Sequence, residues 1–203
     1  MINKISSLHI YSHNVQRNYT LTQYILESLK SRFDILFLQE PPWQIIRQAP
    51  SSSNLEGENI IGAPIHPDWI QFICLPSDTS KPRVMAYIHN QIAKLRFAMR
   101  RDMIDHKDIM LISFLNNGSL NFLINVYSDA QHMAINFLTN SDFSSENLIY
   151  MGGDFNVHDR DWDPTVVSHP IARQMLVDLA DNLGLVRSLP TTQVPTHYTP
   201  NEN

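Results

Sequence analysis

The sequence predicts an α/β fold in which helices lie outside a mixed system of β-strands. Two observations indicate this fold class. The chain opens with a strand, a helix and a second strand, and its last clear pattern is a strand followed by an amphipathic helix. Between these two patterns lies a run of short strand-like segments separated by turn signals. This order of elements is typical of sheets that carry helices on their outer faces.

The first elements form a β-α-β pattern. Residues 8–15 predict a strand, and apolar residues at helical spacing predict a helix over 20–31. Thr20 and Gln23 have the spacing of a capping box, which satisfies amide groups at the start of a helix. The continuous apolar run at 34–38 predicts a strand that is buried on both faces.

The middle of the chain predicts a loop and then several strands. Residues 41–58 are rich in proline and serine, which favours a loop. Asn116-Asn117-Gly118 indicates a tight hairpin between the last two strands of the series. The predicted strands are 59–62, 69–75, 84–89, 94–99, 109–115 and 120–127.

Three elements are predicted after this series: a short helix at 130–139, a strand at 148–151 and a long helix. The long helix has Pro170 near its start and Gly184 just past its end, which is the usual placement of these residues. Its apolar face is predicted to carry Ile171, Ala172, Met175, Leu176, Leu179, Ala180 and Leu183.

Composition limits the class of protein. The chain has 203 residues, of which 43% are hydrophobic, and this predicts one folded domain over residues 1–203. Cys74 is the single cysteine, which excludes an internal disulfide and a cysteine-based zinc site. No apolar run reaches the roughly 18 residues of a membrane span, so no membrane partner is expected.

Charge is unevenly distributed. The formal net charge of −5 argues against a protein that coats nucleic acid nonspecifically. Residues 81–101 nevertheless contain six cationic side chains and no acidic one. They are either solvated strand edges or a flank that faces phosphate groups. The six are Lys81, Arg83, Lys94, Arg96, Arg100 and Arg101.

Several predicted strands end in a polar side chain. Asn14 closes the first strand, Glu40 follows the second, and Tyr127 closes the strand at 120–127. Asp154 and Asn156 follow the strand at 148–151, after two glycines that permit a close approach of other groups. Taken singly, each has a plain structural interpretation as a turn residue, a strand-end charge or a core tyrosine. Taken together, they predict a site built on strand ends.

These residue types suit phosphoester hydrolysis. Glu40 would bind a hard cation, Mg²⁺ or Mn²⁺, which prefers oxygen ligands. Asp154 would orient or deprotonate the attacking water. Asn156 and Tyr127 would donate hydrogen bonds to phosphate oxygens as negative charge develops on them.

The same residues carry a family resemblance. Asn14, the LQE at 38–40, the NVY at 125–127 and the GDFN at 153–156 occur in the order found in the endonuclease/exonuclease/phosphatase (DNase I-like) superfamily. LQEPPW and GDFNVHDRDWDP resemble the endonuclease domain of fungal non-LTR retrotransposons more closely. The segments Leu189-Pro190 and Pro195-Thr196-His197 also resemble that subgroup.

The resemblance implies a four-layer α/β sandwich, in which two packed mixed sheets are flanked by helices. It also implies Mg²⁺-dependent nicking of DNA to prime reverse transcription, with a reverse transcriptase domain downstream and a nuclear site of action. Asn14 and Glu40 would hold the metal, while Tyr127 and Asn156 would contact the scissile phosphate and Asp154 would align the nucleophile. Thr196, His158 and Arg83 would be further phosphate contacts; His158 is also explained as a residue of the loop after the strand.

The chain departs from the family pattern in two places. After NVY the family usually has a small apolar residue, proline and asparagine, whereas this chain has Ser128-Asp129-Ala130. The family's closing strand and Ser-Asp-His triplet have no match in the sequence, so we expect a domain that lacks its last strands. Two alternatives therefore stay open: an inactive remnant or fragment of such a domain, and a related phosphatase of the superfamily.

Overall fold

The computed structural model describes residues 7–75, 81–143, 146–158 and 170–186. Within these ranges the chain forms ten strands and three α-helices. In chain order they are β1 (Ile10–Asn14), α1 (Tyr19–Leu29), β2 (Ile35–Gln39), β3 (Gln44–Ala49), β4 (Glu58–Gly62), β5 (Trp69–Ile73), β6 (Val84–His89), β7 (Ala98–Met99), β8 (Ile109–Asn116), β9 (Ser119–Tyr127), α2 (Met133–Asn140), β10 (Leu148–Asp154) and α3 (Pro170–Asn182).

The described residues group into two compact units. The first lies within residues 1–127 and 147–154, and it contains all ten strands and α1. The second lies within residues 128–146 and 155–203, and it contains α2 and α3.

The first unit contains two four-stranded mixed sheets and a separate hairpin. One sheet has the order β1-β2-β6-β5, in which β1 and β2 are parallel and the other pairs are antiparallel. The second sheet has the order β10-β9-β8-β7 and the same arrangement, with β10 parallel to β9. The predicted α/β fold with two mixed sheets is confirmed.

The two sheets pack face to face because their strands alternate between two apolar surfaces. Side chains such as Phe37 and Ala86 of the first sheet share one core with Ile112 and Leu123 of the second. The intervening residues of β2 and β6, among them Leu36 and Tyr87, point to the other side. There they pack with the buried face of α1, which places this helix on the outside of the first sheet.

Helix α1 begins differently from the prediction. Asn18 is its N-cap residue, and its side-chain oxygen accepts a hydrogen bond from the amide of Leu21 at 2.9 Å. The predicted capping box of Thr20 and Gln23 is therefore wrong. Asparagine is among the preferred N-cap residues, and its position two residues earlier starts the helix at Tyr19.

Two other segments differ from their predicted structure. Residues 41–58 were expected to form a loop, but they contain β3 and the start of β4, which form an antiparallel hairpin. Residues 94–99 were expected to be a strand, but a 3₁₀ helix covers Asn90–Leu95 and only Ala98–Met99 pair as a strand.

The strand β10 also continues through the two glycines to Asp154 instead of ending at Met151.

The predicted hairpin between β8 and β9 is confirmed. Asn117 and Gly118 form its two-residue turn, with backbone φ angles of 52° and 81°. Positive φ at both positions defines the turn whose twist matches that of the flanking strands.

In the second unit, α2 and α3 pack around a small core of Ile135, Val157 and Ala172. Helix α3 ends in a Schellman motif, because the amide of Leu185 bonds to the carbonyl of Ala180 and that of Gly184 to Asp181. The predicted apolar face is wrong at one position: Ile171, in the first turn of α3, is 78% exposed.

Among the helices that the structure describes, none has both the length and the apolar character that crossing a lipid bilayer requires.

Candidate active site

Asn14 and Asp154 meet at the ends of edge strands of the two sheets. The side-chain amide of Asn14 donates a hydrogen bond to the Asp154 carboxylate at 2.7 Å. The amide oxygen of Asn14 in turn accepts from the backbone amide of Gln16 at 2.9 Å. Both ends of the Asn14 amide are therefore held, which fixes the direction in which it donates.

Glu40 lies directly after β2, in a backbone conformation that non-glycine residues rarely adopt. Its φ angle is 47°, in the left-handed region. Its amide donates to the carbonyl of Arg83 at 2.9 Å, and its carbonyl accepts from the amide of Arg17 at 2.7 Å. These two bonds hold the strained conformation, and strain of this kind is concentrated at functional sites.

The loop after β1 shares this strain. Gln16 and Arg17 have φ angles of 49° and 58°. Their amides bond to the side chain of Asn14 and to the carbonyl of Glu40, respectively. Through these two hydrogen bonds, two successive left-handed residues link the end of β1 to the end of β2.

Tyr127 is the last residue of β9 and the register partner of Asp154. Its hydroxyl lies close enough to the Glu40 carboxylate for that negative charge to act on it. Burial, and then the negative charge of Glu40, raise the pKa of this hydroxyl above its usual value. The Tyr127 side chain therefore remains a hydrogen-bond donor at neutral pH.

Four of the predicted site residues thus come together in the first unit. Asn14 contacts Asp154, Asp154 pairs in register with Tyr127, and Tyr127 lies near Glu40. They reach the same place because β1 lies beside β2 and β10 lies beside β9, each pair in parallel. Parallel neighbours end at the same edge of a sheet.

A buried polar bridge beneath these residues was not predicted from the sequence. Gln39 and Asn125 are 1% and 0% exposed, and the Gln39 amide donates to the Asn125 oxygen at 2.6 Å. The Asn125 amide donates to the carbonyls of Leu38 and Met85. The bridge ties the strand before Glu40 to the strand that carries Tyr127. The signal in the sequence was a polar residue at a buried position of each strand.

The two glycines before Asp154 allow a close approach of backbone. A Cβ atom on Gly153 would lie 1.9 Å from the carbonyl oxygen of Val126, and the φ angle there is 150°. A Cβ atom on Gly152 would lie 2.1 Å from the hydroxyl oxygen of Tyr150. At Gly153 the neighbouring atoms are backbone, so strand β10 requires glycine there, whereas at Gly152 the close neighbour is the Tyr150 side chain.

Asn156 lies in the second unit, with a left-handed φ of 48°. Its side-chain amide donates to the carbonyl of Ser128. Phe155 packs against the core of this unit. His158 is half-buried in the same unit, whereas Thr196 lies outside the described residues.

The basic stretch at 81–101 contains cations that have carboxylate partners. Arg100 pairs with Asp102, Arg101 pairs with Asp105, and Arg83 pairs with Asp108. All three acids follow the stretch within a few residues. These pairs reduce the positive charge that was predicted from the stretch alone.

The donors available to a metal are oxygen atoms. Glu40 and Asp154 supply carboxylates and Asn14 supplies an amide oxygen, which are ligands that Mg²⁺ and Mn²⁺ accept. Within residues 7–75, 81–143, 146–158 and 170–186, no group of three or more His, Cys, Asp or Glu side chains could hold a metal ion. A cation here would keep several water ligands, as Mg²⁺ usually does.

Similar chains were found among solved structures. The endonuclease domain of TRAS1, a telomere-specific non-LTR retrotransposon, aligns with a TM-score of 0.64 and 14% identity, over 94% of this chain and 76% of its own. The AP endonuclease LMAP from Leishmania major aligns with a TM-score of 0.54 and 12% identity, over 86% of this chain and 65% of its own. This chain thus spans about two thirds to three quarters of the structures it matches. No protein-family model and no curated protein matches it.

At these identities the alignments establish the architecture. They are consistent with the two mixed sheets described above. The chain has the DNase I-like fold, an α/β sandwich.

Proposed function

We propose that this chain is a metal-dependent phosphodiesterase that nicks DNA, of the kind found in non-LTR retrotransposons. The observation that carries the proposal is the convergence of Asn14, Glu40, Tyr127 and Asp154 at adjoining strand ends. Two carboxylates, a fixed amide and a protonated phenol provide a base, a cation ligand and hydrogen-bond donors within one site.

Each side chain has a role that follows from its contacts. Asp154 orients or deprotonates the attacking water, because the hydrogen bond from Asn14 fixes one of its oxygens. Tyr127 donates to a phosphate oxygen as charge develops on it. We assign the same role to Asn156, whose amide has two N–H groups.

The oxygen donors fit Mg²⁺ or Mn²⁺, with Glu40 and Asn14 as the protein ligands. The bound cation would polarise a phosphoryl oxygen and stabilise the charge that develops there. The Tyr127 hydroxyl lies near the Glu40 carboxylate. The left-handed backbone conformation at Glu40 sets the direction in which its side chain leaves the backbone.

DNA is the proposed substrate because the two aligned proteins are endonucleases, one of them from a non-LTR retrotransposon. Arg83, His158 and Thr196 are proposed as additional phosphate contacts. A reverse transcriptase domain downstream and action in the nucleus would accompany a retrotransposon origin. Residues 1–203 are proposed to form one domain with this activity.

The test is nicking of supercoiled plasmid by the purified chain. The reaction would contain Mg²⁺, Mn²⁺ or EDTA, and the variants would be Asp154→Ala and, as a matched control, Asp178→Ala on the exposed surface of α3. We expect nicking that requires the metal, is lost in Asp154→Ala and is retained in Asp178→Ala. A folded chain that does not nick would contradict the proposal and favour a domain without turnover.

A further inference from the structure

Asp108 is a fully buried carboxylate close to the candidate active site. It is 0% exposed, so it cannot contact DNA directly. Its carbonyl accepts the backbone amide of Tyr127 at 2.9 Å, and its side chain forms an ion pair with the Nε atom of Arg83 at 3.0 Å. A buried carboxylate is stable only when such a partner compensates its charge.

Arg83 connects this carboxylate to two site residues. Its guanidinium carbon lies 4.3 Å from the centre of the Tyr127 ring, within cation–π distance. Its carbonyl accepts the backbone amide of Glu40 at 2.9 Å. The Arg83 side chain is 26% exposed, so the ion pair with Asp108 determines where a partly solvated guanidinium is held.

These contacts close a ring of interactions around Tyr127. Its backbone amide is held by the carbonyl of Asp108, Arg83 lies over one face of its ring, and its hydroxyl lies near Glu40. Glu40 is in turn held by the carbonyl of Arg83. Tyr127 and Glu40 therefore each have a contact with Asp108 or Arg83 that lies outside the reacting atoms.

We infer that Asp108 is a positioning residue, which holds Arg83 against the Tyr127 ring and so directs the Tyr127 hydroxyl at Glu40 and the phosphate site. This inference rests on the proposed function. It also gives Arg83 a role different from a plain phosphate contact, because its charge is fixed by a buried partner. A guanidinium suits this role better than a lysine ammonium, since its carbon can lie over the ring while its Nε lies 3.0 Å from the carboxylate.

The decisive comparison uses Asp108→Asn, which preserves the shape and the backbone hydrogen bond but removes the charge. We expect kcat for plasmid nicking to fall about 10- to 100-fold, as on loss of a partner that orients a site residue, with KM nearly unchanged. Asp105→Asn is the matched control, because Asp105 is an exposed acid paired with Arg101 away from Tyr127. It should leave both constants unchanged.

A second background separates positioning from general destabilisation. In Tyr127→Phe the hydroxyl is already absent, so adding Asp108→Asn should lower kcat little further if Asp108 acts through Tyr127. If Asp108→Asn alone does not fold, the double variant Arg83→Gln/Asp108→Asn removes both charges and leaves no buried ion without a partner. The same fall in kcat is expected for this double variant. Equal effects of Asp108→Asn in both backgrounds would overturn the inference.

A spectroscopic measurement is independent of activity. The chain has seven tyrosines, and with ¹³Cζ-labelled tyrosine the Tyr127 resonance is assigned by its loss in Tyr127→Phe. Asp108→Asn should move this resonance, and Asp105→Asn should not. If it moves while the unsubstituted chain nicks no DNA, the positioning of Tyr127 stands and the proposed function fails. An unmoved resonance would show that Asp108 does not position Tyr127.

Discussion

A hydrogen bond of 2.7 Å joins the side-chain amide of Asn14 to the carboxylate of Asp154, although 140 residues separate them in the chain. Asn14 belongs to an edge strand of one sheet and Asp154 to an edge strand of the other. The bond therefore depends on how the two sheets pack. It also gives the candidate base a fixed orientation, which is a feature that substitutions can test.

Asn14→Ala should lower the rate of plasmid nicking about 100-fold, because the Asp154 carboxylate loses the donor that orients it. The variant should remain folded, since Asn14 is only partly buried and lies at the end of β1. Single-turnover nicking with Mg²⁺ measures the effect. Asn59→Ala, on the exposed surface of the β3–β4 hairpin, is the control. Equal rates for the two variants would contradict an orienting role.

The polar bridge between Gln39 and Asn125 should contribute to stability as a unit. Asn125→Leu removes the partner of a buried amide and should lower the free energy of unfolding by about 2 kcal/mol or more. Gln39→Leu/Asn125→Leu removes both partners and should cost less than the sum of the single variants. Urea denaturation gives these values. Additive costs would mean that the two side chains act separately.

Gly153→Ala should destabilise the chain by about 3 kcal/mol or more, because its Cβ would overlap the carbonyl of Val126 and its φ is positive. Gly118→Ala separates the two causes. Its φ is 81° but no atom lies within 4 Å of the added Cβ. Gly118→Ala should lower the free energy of unfolding by only about 1–2 kcal/mol, because only the backbone conformation is strained. Similar thermal shifts for both variants would show that the close contact relaxes.

Glu40→Gly and Glu40→Ala should differ in stability but not in activity. Both remove the carboxylate, so both should abolish metal-dependent nicking. Glycine adopts the φ of 47° without strain, whereas alanine does not. Glu40→Gly should therefore be about 1 kcal/mol more stable than Glu40→Ala in urea denaturation. The reverse order of stability would show that this backbone conformation is not strained.

Many elements of the fold could be predicted because their signals are local. β2 is a continuous apolar run, β9 alternates between two faces, and Asn117-Gly118 marks a turn by itself. The β3–β4 hairpin could not be predicted in this way. Most residues of β3 are exposed, and a strand without a buried face has no apolar alternation to recognise.

By itself the sequence determined most of the strands and which polar side chains stand near their ends, since both depend on residues close together in the chain. Asn14, Glu40, Tyr127 and Asp154 were identified from such local patterns and from their order. Only the tertiary structure decided which groups meet: Asn125 with Gln39 across the sheets, and Asp108 with Arg83 beneath Tyr127. Partners far apart in the chain are selected when the two sheets pack and exclude water. A buried amide or carboxylate must then find whichever complementary group the packing brings within reach.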